Sequence, residues 1–218
     1  MPNTNNVAIL SALAEPGDVC ALSPIRHRRR SSIVTAALAL AVDGYDAVAL
    51  RVVADRAGVA TGTVYQYFSS KDDLLMACFH RWIVTSELAF HHEMALVADP
   101  AVRLHRVVHR MTESLCAAGA FADAVSRAYL CADQAANANA ERARDALSRV
   151  FTDIDNSDGT PSSPRDVSSL FADCWVMNVL SVVHGRVTVE ELHRRLTRTA
   201  SVLMVSTAAA SESARRGG

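Results

Sequence analysis

Residues 50–75, LRVVADRAGVATGTVYQYFSSKDDLL, constrain the fold more than any other stretch of the chain. Two short apolar-periodic segments are joined by Gly58-Val59-Ala60, and a third begins at Ser69-Ser70-Lys71. Leu50, Val53, Ala54 and Ala57 fall on one face of the first segment, Val64 and Phe68 on one face of the second. Gly58 supplies the turn because it accepts positive φ without steric cost. Thr61 is placed to cap the second segment, which leaves Gly62, Thr63, Tyr65, Gln66 and Tyr67 at or near its exposed N-terminal face. Two short helices across a tight Gly-containing turn form a helix-turn-helix, a unit that sets its second helix in the DNA major groove. Ser70 and Asp73 open the next helix in capping-box fashion, with Asp in place of the usual Glu or Gln.

The remaining periodicity builds helices on both sides of this unit. Ser31 or Ser32 is expected to cap a first helix running to about Asp43, with Ile33, Ala36, Ala37, Leu40 and Ala41 on one stripe and Gly44 ending it. Downstream, helices are expected at about 71–99, 101–118, 121–135, 138–154, 166–184 and 189–208. The 71–99 helix should stop at Asp99-Pro100, 155–165 reads as a loop, and Thr188 with Glu191 forms a capping box. No strand alternation and no internal repeat emerges. The fold class is all-α, a three-helix N-terminal unit (26–70) on a larger helical body (71–210), with 1–25 a disordered extension and 211–218 a flexible tail.

Composition narrows the function. Apolar residues make up 50% of the 218 and charged residues 21%, with only nine Gly and six Pro, as in a helical globular protein. A net charge of −1 excludes a bulk polyanion binder, so nucleic-acid contact must come from a local cluster, and Arg26–Arg30 is one. The five cysteines show no C-x-x-C spacing, which points to free thiols in a reducing compartment. Residues 7–14 imitate a signal-peptide core but lack a basic flank, and no apolar run reaches the roughly 18 residues of a membrane span. The expected location is the cytoplasm, without a membrane partner.

His105 and His109 stand at i, i+4, with His91-His92-Glu93 nearby, a spacing that suits metal ligation. Interleaved Arg103, Arg106 and Arg110, and the missing Glu after the first His, favour a solvated basic face instead, so no metal is expected. No nucleophile-base motif and no Gly-rich phosphate loop is present, so neither an enzyme nor a cofactor is expected.

DNA contact divides by chemistry. Thr61, Tyr65, Tyr67 and Lys71 suit phosphates, and the Lys71 amide also stands at a helix N-terminus. Thr63 and Gln66 suit base edges, while Gly62 lets the backbone approach the groove. Arg51 is placed for the flanking backbone, and Arg28, Arg29 and Arg30 form an arm that reaches phosphates or a minor groove.

The pattern A-x-x-A-G-V-x-x-G-T-x-Y-x-Y-F-x-S-K-x-x-L-L at Ala54–Leu75 resembles the TetR family of bacterial transcriptional regulators. The resemblance implies a helix-turn-helix DNA-binding domain followed by a ligand-sensing and dimerising body. It also implies a homodimer on a palindromic double-stranded operator, formed through the helices at about 166–184 and 189–208. Ala49 departs from the Thr that usually caps the second helix, at a cost of about 1 kcal/mol. More narrowly, Arg51–Leu75, Phe121–Asp133, Phe171–Leu180 and Glu191–Leu196 are similar to the KstR-type repressors of sterol catabolism in actinobacteria. That similarity implies a sterol- or lipid-derived acyl-CoA as the signal. Thr61 and Gln66 replace the Val and Arg associated with that group, and the stretch Phe90–Met94 and Trp82 also depart from it. A drug-like or aromatic effector, or none, are the other readings. Met94, Met111, Leu115, Phe121, Arg127, Tyr129, Phe151, Trp175 and Asn178 are the expected effector-lining residues, with Leu104 and Met177 as further apolar candidates.

Overall fold

The fold comes from a computed structural model, which describes residues 24–132, 136–152 and 165–216. The described elements are helices: α1 Pro24–Ala41, a 3₁₀ turn Tyr45–Ala47, α2 Leu50–Ala57, α3 Thr61–Tyr67, α4 Lys71–Ala95, α5 Pro100–Ala117, α6 Ala120–Cys131, α7 Asn137–Thr152, α8 Arg165–Val183 and α9 Val189–Arg216. The expected extension lies outside the described residues up to 23, as does the loop at 155–164.

Helix starts account for most differences from expectation. α1 begins at Pro24 rather than at Ser31 or Ser32. Proline is suited to a first turn because its missing N–H would be unpaired there anyway, and arginine is a good helix former. The Arg26–Arg30 run is therefore helical, not an extended arm. α3 is flanked by Ala60 with no side-chain cap, and Thr61 is its first helical residue rather than the cap. Asp99 does not end a 71–99 helix: α4 stops at Ala95, and the Asp99 carboxylate accepts from the Ala101 amide at 2.8 Å, capping α5 behind Pro100. α9 continues to Arg216, past the expected end near 208.

The chain divides into two compact units, Met1–Leu88 with Leu115–Ala143, and Ala89–Ser114 with Arg144–Gly218. The first unit is larger than the expected 26–70 domain, because most of α4, all of α6 and the start of α7 cluster with the helix-turn-helix. Its core is Ile33, Val34, Ala37 and Ala41 of α1, Val53 and Ala54 of α2, Val64, Phe68, and residues 74–78 of α4, all within 2% of full burial. α4 is apolar all round over these residues, as a helix enclosed by neighbours must be. Arg81, buried on α4, donates to Ser31 O at 3.3 Å and Thr35 Oγ1 at 2.8 Å on α1.

In the second unit Trp175 of α8 is fully buried and its indole N–H donates to Thr112 Oγ1 of α5 at 3.1 Å. Phe151 packs edge-on to Phe171 at 5.0 Å between centroids. Arg144 of α7 grips Asp173 of α8 with two bonds of 2.7 and 2.8 Å. Half of the expected Thr188–Glu191 box forms: the Glu191 amide donates to Thr188 Oγ1, while its carboxylate turns to Arg194 and Arg195.

Candidate nucleic-acid interface

α2 and α3 are joined by a Schellman turn. Gly58 sits at φ 67° and ψ 34°, its amide donating to Asp55 O, while the Val59 amide donates to Ala54 O at 3.0 Å. Behind the turn Val64 (0% exposed) and Phe68 (1%) anchor α3 in the core. With that face fixed, the opposite one is turned to solvent. Tyr65 is 58% exposed, Gln66 and Gly62 are exposed, and Thr61, Thr63 and Tyr67 are half-buried. A Cβ built on Gly62 meets no atom within 4 Å, so its value lies in what approaches from outside rather than in packing within the chain. Arg51 is exposed in the first turn of α2, and Arg28 and Arg29 are exposed on the first turns of α1.

Two residues expected at phosphates are held by the protein itself. Arg30 is half-buried, its guanidinium 5.4 Å from the Phe68 ring centre and donating to Asn139 Oδ1 at 3.1 Å. Asn139, 5% exposed on α7, in turn donates to Asp73 at the start of α4 and accepts from Arg142. Lys71 holds its ammonium 3.7 Å from the Tyr45 ring centre, and Arg127 covers the same ring at 4.3 Å. Burial lowers the Lys71 pKa, Arg127 adds to the effect, and Asp46 and Asp72 oppose it. The Lys71 amide does lie in a helix first turn, but Asp72 and Asp73 stand in that turn with it. Asp73 already takes the Ser69 amide at 2.9 Å, and the Asp73 amide goes to Ser70 Oγ at 3.1 Å. Half of the expected capping box therefore forms at Ser70, while the Asp73 carboxylate takes the amide one residue before the cap.

Tyr45 organises this junction. Its hydroxyl donates to Asp72 at 2.7 Å, and its pKa is pushed up to about 12, by burial first and then by that bond. Arg127, expected in an effector pocket, is instead exposed on α6, stacked on Tyr45 and 3.8 Å from Asp46.

The other expected effector residues are divided between the two units. Leu115, Phe121, Arg127 and Tyr129 belong to the first unit, and Met111, Phe151, Trp175 and Asn178 to the second. Met111, Leu115, Phe121, Phe151 and Trp175 are all at most 5% exposed. Asn178 donates to Cys174 O of its own helix at 2.8 Å, and Met177 is 58% exposed. The Met94 side chain lies outside the described residues. Within the second unit a cavity of about 110 Å³ opens between α5, α8 and α9, walled by Leu104, Val108, Phe171 and Leu196 with His105 and His193 at its edge. Leu104 alone among these was an expected apolar contact. The histidine pair at 105 and 109 was legible as a pair; its third member, His193, is brought in by α9 and has no local signal.

The described residues contain no group of three or more His, Cys, Asp or Glu side chains arranged to hold a metal ion, and no helix long and apolar enough to cross a membrane.

A helix-turn-helix with an exposed second helix, on an otherwise helical chain, defines a DNA-binding regulator. Residues 33–78 match the family described as bacterial regulatory proteins, tetR family, and residues 98–203 match the tetracyclin repressor-like C-terminal domain. The chain is 30% identical over 193 residues to the HTH-type transcriptional repressor KstR of Mycolicibacterium smegmatis, covering 88% of this chain and 91% of that protein. The chain belongs to the TetR family. A TetR transcriptional regulator from Rhodococcus sp. RHA1 superposes with a TM-score of 0.72 at 25% identity, over 83% of this chain and 98% of that one. Thermus thermophilus FadR, a repressor solved with lauroyl-CoA, shares the fold with a TM-score of 0.61 at 17% identity, over 80% of this chain and 93% of that one.

Proposed function

We propose that this chain is a dimeric repressor that binds a palindromic operator and leaves it when a small hydrophobic effector binds. The effector class is an acyl-CoA of lipid or sterol origin. The observation that carries the DNA reading is the exposed face of α3, held outward by Val64 and Phe68. Thr63 and Gln66 read base edges there, and Thr61, Tyr65, Tyr67, Arg28, Arg29 and Arg51 hold phosphates. Lys71 supports Tyr45 first and reaches a phosphate only at the rim of the interface.

Dimerisation through α8 and α9 is supported by the large apolar side chains those helices leave outside the core. Leu170 (53% exposed) and Met177 (58%) lie two turns apart on α8, and Val202 (64%) stands on α9. Residues seven apart share a helix face, so a twofold partner buries both at once. The two recognition helices then meet successive turns of one DNA groove, roughly 34–36 Å apart. The effector class rests on the relatives: KstR among sequences, and a FadR solved with lauroyl-CoA among folds. An effector releases DNA only by favouring the incompetent spacing of the dimer over the competent one.

Selection of bound sequences from random DNA tests the reading, followed by release of the selected duplex with lauroyl-CoA and with CoA thioesters of sterol-derived acids. A recovered palindrome and release by one thioester class are the expected results. A non-palindromic site or a monomer at micromolar concentration refutes the dimer, and indifference to every thioester refutes the effector class.

A further inference from the structure

The histidines of the second unit form a cluster that DNA binding does not use. His105 and His109 stack on α5 with ring centres 6.4 Å apart, and His193 of α9 lies 4.7 Å from His109 and 6.3 Å from His105. Two of these imidazoles, His105 and His193, line the cavity together with Leu104, Val108, Phe171 and Leu196, and His109 stands behind them. The His193 Nε2 atom is buried and, among the described residues, has no hydrogen-bond partner. Buried polar atoms without partners are rare in folded proteins, and those that persist mark places where something else completes the bond.

We propose that this cavity is a binding site for a short- to medium-chain carboxylic acid, its carboxylate received by His193 and His105 and its alkyl tail laid along Leu104, Val108, Phe171 and Leu196. The walls and the head of the site match the two ends of such a molecule. Apolar side chains take the tail, and imidazoles supply N–H donors that become cationic when a carboxylate adjoins them. His193 and His105 both line the cavity, so the head of the ligand lies beside them. A volume of about 110 Å³ suits a tail of a few carbons and not a steroid nucleus, which separates this site from one for a bulky thioester.

The charged groups around His193 set the pH dependence. On α5 these are His105, His109 and Glu113, and Glu113 accepts from His109 at 3.2 Å. From α8 the cavity wall is the uncharged Phe171, and on α9 Thr197 and Ser201 add hydroxyls. Burial first, then the two neighbouring imidazoles, lowers the His193 pKa, with Glu113 opposing. The free ring is thus neutral at pH 7, and a bound carboxylate draws a proton onto it. Binding then takes up protons and tightens as pH falls.

The test is titration of the full-length protein with octanoate by calorimetry at pH 6 and pH 8, at each pH in two buffers of different ionisation enthalpy, to count protons. The expected result is binding at least several-fold tighter at pH 6, with proton uptake and perturbed His105 and His193 resonances in the NMR spectrum. His193→Gln keeps a polar side chain of similar size and should bind octanoate weakly and without proton uptake. His105→Gln, at an exposed position, repeats the test if the first variant melts early. Octanol binding as tightly as octanoate, zinc alone moving these resonances while octanoate does not, or His193→Gln keeping the pH dependence each overturn the proposal. Operator binding is titrated on the same samples, so loss of the DNA reading and loss of the carboxylate site appear in separate measurements.

Discussion

Asn139→Ala should loosen the DNA-binding unit more than any change on its surface. Asn139 is 5% exposed and serves three partners at once. It donates to Asp73, which is equally buried, and accepts from Arg30 and Arg142 at 3.1 Å each. Truncation removes one donor from a buried carboxylate, which keeps the Ser69 amide and hydroxyl at 2.9 and 3.1 Å. Losing a buried hydrogen bond to a charged group costs about 1.5–3 kcal/mol. The two arginines are partly exposed and recover water, so they add little. A loss of about 2–3 kcal/mol corresponds to a melting temperature lower by about 4–12 °C in a chain of this size. Calorimetric melting reads that shift, and an operator titration should show weaker binding, since Arg30 and Asp73 fix α1 and the α3–α4 junction. Asn139→Asp should be worse at pH 7, where two carboxylates face each other, and should recover as pH falls into the range where one of them protonates. If Asn139→Ala melts within about 1 °C of the natural protein and binds the operator equally, the network carries no load and the reasoning fails.

Three further outcomes follow from the same geometry. Tyr45 has a pKa raised from 10.0 to about 12, so its share of stability is complete below pH 10 and is lost as pH climbs through about 12; alkaline unfolding should show this loss, and Tyr45→Phe should lack it. Gln66→Ala should relax preference at one operator position, whereas Tyr67→Ala should weaken binding to all duplexes alike and flatten its salt dependence; competition against operator variants at two salt concentrations separates the two. Met177→Glu places a charge on an α8 position that is 58% exposed in the single chain; sedimentation should find a monomer that is otherwise folded, and an unchanged dimer would move the interface elsewhere.

What was legible in the sequence was local. Gly58, Val64 and Phe68 announce turn and core within a dozen residues, and the structure places them as expected. The Ser70–Asp73 cap is equally short-range. The misplaced start of α1 came from reading charge as solvation: arginines suit a helix as well as an arm, and Pro24 settles which. The sites that escaped are those made by residues distant in the chain. Arg30 meets Asn139, Thr112 meets Trp175, and His193 meets His109, each pair joined by tertiary packing with no periodic trace. Trp175 and Phe121 are buried, and large apolar residues serve core and pocket alike, so periodicity does not separate the two roles.

Lys71 has a consequence of its own. It carries the one side-chain amine in 218 residues, and that amine rests on Tyr45 at the entrance to α4. Because burial lowers its pKa, more of it is unprotonated and nucleophilic in mildly alkaline buffer than for a free lysine. The aromatic ring meanwhile shields it on one side. An amine-selective reagent therefore has a single lysine to modify, and its rate of attachment, read by mass spectrometry, reports on the surroundings of the junction below the recognition helix.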